Sequence, residues 1–114
     1  MKIINSTKNT ILAEDAVTAS TLWRRMKGLL GEGSLNKGSA MVLKPCNSVH
    51  TFFMRFAIDV IFVDDKNCVI KTFTQLKPFR LSPVYYNAAF AIELPFGAVK
   101  ESATSAGDFL ILEE

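Results

Sequence analysis

The run Ile58 to Val63 (I-D-V-I-F-V) limits what this chain can become more than any other stretch. Its β-branched side chains crowd a helical turn and suit a pleated surface, so it is read as a strand. It closes on D-D-K-N, a turn of Asp and Asn type, and C-V-I-K-T-F-T then resumes from Cys68. A hairpin is expected here. The runs Lys2 to Asn5 and Thr10 to Ala13, separated by S-T-K-N, predict a second hairpin at the start of the chain.

Between these hairpins the periodicity changes. Leu22, Trp23, Met26, Leu29 and Leu30 recur at three- and four-residue spacing with Arg24, Arg25 and Lys27 between them, the pattern of an amphipathic helix. Ser20 is its expected N-cap and Gly31 the residue just past its end. Gly31 to Ser39 reads as a loop and Ala40 to Leu43 as a strand. Leu76 to Tyr86, with Pro78, Pro83, Phe79, Arg80, Tyr85 and Tyr86, is a proline-bounded aromatic loop long enough to be suspected of function. Ala88 to Leu94 reads as a strand stopped by P-F-G. Ala98 to Ala103 can form one or two helical turns, S-A-G-D is a turn, and Phe109 to Leu112 is a closing strand. The expected fold is a mainly β, α+β domain. About seven short strands would form one curled antiparallel or mixed sheet, a partial barrel, beside one prominent N-terminal helix.

At 114 residues and 49% apolar composition, the chain is expected to close one core as a single domain, 1–114. The net charge is +2 and the basic residues are scattered apart from Arg24, Arg25 and Lys27, so no clustered basic face for nucleic acid is expected. The start M-K-I-I-N-S-T-K lacks the uninterrupted apolar region of a secretory signal, and no run is long enough for a membrane span. A cytoplasmic location is expected. Cys46 and Cys68 are read as free thiols, with no disulfide framework.

The polar residues inside apolar surroundings are the candidates for chemistry, because ionisable groups there cost free energy unless paired or used. Lys44 to Asp65 holds the only histidine, His50, with Cys46, Arg55 and Asp59. A Cys46–His50 nucleophilic pair needs hydrogen-bond contact, yet four residues of strand separate Cα atoms by about 13 Å. Such a pair requires the segment to turn back; the simpler reading is a small buried thiol beside a satisfied histidine. One histidine and two distant cysteines are a poor zinc set, so neither a metal nor a cofactor is expected. Arg55 and Asp59 are expected to bond to each other, to His50, or to Glu93 in F-A-I-E-L-P. Their two readings are a structural ion-pair network and the polar base of a ligand pocket. On spacing alone Arg25 is a solvated helix residue, and Asp108 after Gly107 bonds its own turn.

These motifs together resemble the bacterial and archaeal domain of unknown function 192 family. The resemblance rests on R-M-K-G-L-L-G at Arg25 to Gly31, P-C-N-S-V-H-T-F-F-M-R-F-A-I-D-V-I-F-V-D at Pro45 to Asp64, E-L-P-F-G at Glu93 to Gly97, and G-D at Gly107 to Asp108. It implies a compact, mostly β domain with a prominent helix near the N-terminus, and that Arg25, His50, Arg55, Asp59, Glu93 and Asp108 matter together. It brings no reaction with it. Ala57 stands where the family usually has proline and Phe96 where a small residue is common; neither change removes a polar group. Many relatives carry a leader, so location is not inherited from them.

The leading functional expectation is a small binding or accessory module. Its pocket would form where residues 46–56 meet Glu93 and the 76–86 loop, with His50, Arg55, Asp59, Glu93, Phe79, Arg80 and Arg25 gripping a small molecule or an extended peptide. The alternatives are a hydrolase or transferase using Cys46 or an activated water with His50 as base, and an interaction subunit without a ligand.

Overall fold

The computed structural model describes residues 1–19, 35–52 and 54–114. Eight strands run in chain order: β1 (Lys2–Asn5), β2 (Thr10–Ala13), β3 (Asp15–Ala19), β4 (Ser39–Leu43), β5 (Ile58–Val63), β6 (Val69–Leu76), β7 (Phe90–Pro95) and β8 (Leu110–Glu113). A short helix, α1 (Ala98–Ser102), lies between the last two. Both expected hairpins form, β1 with β2 and β5 with β6.

The strands make two sheets, ordered β2-β1-β8 and β3-β4-β7-β5-β6. This corrects the expected single curled sheet: the sheets meet at corners and do not close into a barrel. Asn5 stands opposite Leu110 in the β1–β8 ladder, so the first and last strands pair with each other. At one corner Met1 and Ala16 exchange main-chain hydrogen bonds of 2.8 and 2.7 Å; at the other Cys68 and Phe109 form an isolated bridge flanked by main-chain bonds from Val69 N to Asp108 O and from Leu110 N to Asn67 O. Isolated contacts of this kind do not propagate into a ladder. The mixed sheet includes a strand absent from the sequence reading, β3, which pairs parallel with β4.

The five-stranded sheet is a middle layer, and the alternation along its strands sorts side chains between two cores. Val42, Ile61, Val63, Ile92 and Leu94 face the three-stranded sheet and α1, meeting Ile3, Leu12, Leu110 and Val99. Met41, Leu43, Val60, Phe62 and Ala91 face the other way, onto Cys46, Val49 and Met54. Because both faces are covered, β5 is buried along its whole length.

The prominent helix expected from Ser20 to Gly31 lies outside the described residues, as does Arg25. The one described helix is short and near the C-terminus. Its end is a Schellman motif: Ala103, left-handed at φ 57°, and Thr104 donate their amides to Lys100 and Val99 carbonyls. No helix among the described residues is long and apolar enough to cross a membrane.

Candidate functional site

The segment after β4 and the loop after β6 lace together into a two-stranded clamp over the second core. The Tyr85 amide donates to Asn47 O at 2.8 Å, Ser82 N to Val49 O at 2.9 Å, and Thr51 N to Arg80 O at 2.8 Å. Side-chain oxygens complete the ladder where main-chain groups run out. Ser82 Oγ accepts from Val49 N at 2.9 Å; Thr51 Oγ1 donates to Lys77 O at 2.6 Å and accepts from Arg80 N at 2.9 Å. Thr51 is fully buried and Ser82 nearly so. These two residues build the site, and the sequence reading missed them as builders: a hydroxyl replacing a carbonyl leaves no periodic trace.

The clamp orders an apolar surface. His50 and Leu81 are bridge partners, so their side chains share a face, and His50 stacks on Phe52 with ring centroids 5.1 Å apart. Phe79, left-handed at φ 61°, is 69% exposed, Leu81 67% and Tyr86 91%. Isolated exposed apolar residues are ordinary; here several fall within residues 79–86 of one loop.

Charge is segregated in the same place. No Asp or Glu occurs in residues 33–58 or 66–92, the segments that form the clamp and its flanks. The loop from Phe52 to Ala57 is tied at both ends to the 76–80 stretch, through Thr51 and through the Ile58–Leu76 pair. Arg55 on that loop is exposed, as are Lys77 and Arg80. Exposed aromatic and cationic residues thus fall on laced segments that carry no acid.

The remaining sequence candidates divide. Glu93 is buried on β7 opposite Met41 and Val60, which puts it on the face that the clamp covers. Cys46 is buried and its thiol donates to Ser48 O at 3.1 Å. Asp59 belongs to the other face of the sheet. Its carboxylate accepts from Gln75 N at 3.0 Å, Gly97 N at 3.1 Å and Val99 N at 2.9 Å, so it is matched by main-chain amides. The expectation that Asp59 pairs with Arg55 is corrected: Arg55 is exposed and Asp59 is spent on holding β6 and the start of α1 against β5.

Asp108 is also structural. Asn5 Nδ2, Lys8 Nζ and Ser105 N donate to its carboxylate at 2.9, 2.9 and 3.0 Å, tying the β1–β2 turn to the turn before β8. Burial pushes its carboxyl up, but the hydrogen bonds from Asn5, Lys8 and Ser105 and the Lys8 charge outweigh this and hold it below the ordinary carboxylate range. Among the described residues no three His, Cys, Asp or Glu side chains gather as metal ligands.

Two clefts flank α1. One, of about 620 Å³, separates β6 from α1 and is lined by Thr72, Thr74, Phe96 and Lys100; the other, of about 500 Å³, lies between β2 and α1.

The fold and its site define a mainly β, two-sheet domain with a laced clamp over one face. Residues 3–112 match DUF192, the family described as Uncharacterized ACR, COG1430, and the chain belongs to it. It is similar to a UPF0127 protein of Thermococcus kodakarensis, 31% identical over 112 residues that cover 95% of this chain and 71% of the relative. A UPF0127 protein of Thermococcus gammatolerans is 30% identical over 112 residues, covering 95% and 72%. Among solved structures, a protein of unknown function from Novosphingobium aromaticivorans superimposes with a TM-score of 0.82 at 17% identity, covering 98% of this chain and 84% of that one. A structure from Sinorhizobium meliloti gives 0.80 at 16% identity, covering 96% and 89%. At those identities the likeness concerns the fold.

Proposed function

We propose that the domain is a binding module whose clamp surface takes an extended, acidic segment of a partner polypeptide. The observation that carries this reading is the presence of exposed Phe79 and Leu81 with Arg55, Lys77 and Arg80 on two separate stretches of chain, 33–58 and 66–92, neither of which contains an Asp or Glu. Aromatic and aliphatic side chains supply apolar contact, and the cationic side chains select an anionic partner and speed encounter. The hydrogen-bonded, buried thiol of Cys46 supports an inert cysteine over a nucleophile.

A labelled octapeptide of alternating valine and glutamate is a suitable probe by fluorescence anisotropy. Phe79→Ala and Arg80→Ala should each weaken its binding about tenfold while leaving the melting temperature unchanged. Affinity should fall as salt rises from roughly 50 to roughly 500 mM. Variants that bind like the parent would overturn the reading.

A further inference from the structure

The clamp surface is continuous with an open sheet edge. β6 ends the five-stranded sheet, so only β5 pairs with it along its length. Its beginning is tied down, because Val69 N donates to Asp108 O and Val69 O accepts from Gly107 N, both at 2.8 Å. Toward its far end the register with β5 shifts, and the Gln75 amide turns to the Asp59 carboxylate of β5. From Ile70 to Thr74, no main-chain hydrogen bond from a described residue reaches the side away from β5. Among the described residues this is about 16 Å of strand on which alternate residues turn their N–H and C=O groups outward.

The open edge borders the cleft between β6 and α1. Thr72 and Thr74 form one wall, and Phe96, Lys100 and Thr104 lie across from them. Lys71 is exposed on the edge itself, with its ammonium 5.5 Å from the Phe73 ring centroid, and Lys100 is exposed on the helix. Asp59, in the floor, is held by three amides, and Glu101 points toward Lys37 at 3.9 Å. The free charges beside the edge are thus positive. A lysine on an edge strand discourages pairing with another cationic strand, including a second copy of this one, and favours an acidic one.

We propose that an extended acidic segment of a partner adds as a further strand to β6 between Ile70 and Thr74. Alternate side chains of the segment enter the cleft beside Lys100, and its continuation lies on Phe79 and Arg80. This rests on the clamp reading and names how the main chain of the partner is held: by strand addition, in which the ladder supplies affinity and the cleft supplies selection.

The probe is the same valine–glutamate octapeptide in three forms: unmodified, N-methylated at every valine, and N-methylated at every glutamate. In an added strand alternate amides face the ladder and solvent, so one methylated form should lose binding at least about tenfold and the other should keep it. A one-residue slip cannot rescue the weak form, since it would place valine opposite Lys100. Amides within residues 70–74 should also gain protection from hydrogen exchange when the unmodified peptide binds. Equal effects of the two methylation patterns, with no gain in protection, would overturn strand addition. If binding is then still lost in the Lys77→Glu/Arg80→Glu variant, the clamp reading survives alone. Absence of binding at millimolar unmodified peptide would overturn both.

Discussion

The hydroxyl of Thr51 stands in for a main-chain carbonyl opposite Arg80. Thr51 N donates to Arg80 O at 2.8 Å, and Arg80 N returns the bond to Thr51 Oγ1 at 2.9 Å, because Thr51 O is already taken by the Phe79 amide. Thr51→Val keeps the shape but leaves Arg80 N and Lys77 O without that partner in a buried position. It should cost about 2 kcal/mol in urea melts and loosen the clamp. A loss under half of that would mean water replaces the hydroxyl.

Asp59→Ala should be among the most damaging single changes in the sheet. It strips three main-chain donors of their acceptor at a fully buried position, with an expected loss of about 3 kcal/mol. Asp59→Asn retains one acceptor oxygen and sets an amide against the other donors, so it should fall between parent and alanine. Equal stability of all three proteins would show that the amides find other partners.

Asp108 sets part of the acid limb of stability. Its folded carboxyl titrates below the ordinary value of 3.8, so the stability it contributes is present above that value and fades as pH falls through the lower, folded one. The gap between parent and Asp108→Asn should therefore be constant above about pH 5 and shrink below it. Lys8 is partly exposed, so Lys8→Met should reproduce only a small part of the effect. A gap that widens in acid would contradict the assignment.

The two thiols should react in sequence. Cys68 is half-buried and Cys46 is buried with its thiol on Ser48 O, so in the native protein at neutral pH one equivalent should titrate and the second only in denaturant. Cys68→Ser should abolish the first equivalent. Fast alkylation of Cys46 near pH 6 in that variant would reopen the case for a nucleophile.

Local pattern carried the hairpins, because I-D-V-I-F-V and its D-D-K-N turn need nothing beyond their own side chains to declare themselves. β3 was not legible for the converse reason: D-A-V-T-A has only Val17 and Thr18 as β-formers, and its place is set by parallel pairing with β4. Asp59 shows the limit most plainly. Burial of an acid after apolar residues correctly demands a partner, and the nearest cation in sequence is Arg55. The actual partners, amides of Gln75, Gly97 and Val99, become neighbours only once β5, β6 and α1 have packed. The 76–86 stretch was legible as a proline-bounded aromatic loop, with Phe79 and Arg80 in it. Its anchoring by Thr51 and Ser82 was not, since their roles depend on which carbonyls the fold leaves idle.

The antiparallel match of Asn5 with Leu110 constrains how the molecule is made. β1 is synthesised early, yet one of its two neighbours emerges only after about a hundred more residues, and such distant pairings are slow to form. Until then the β1–β2 hairpin has one side uncovered on the ribosome, and the five-stranded sheet can assemble without it. The order of folding is therefore expected to run from the middle of the polypeptide outward, with the three-stranded sheet closing last.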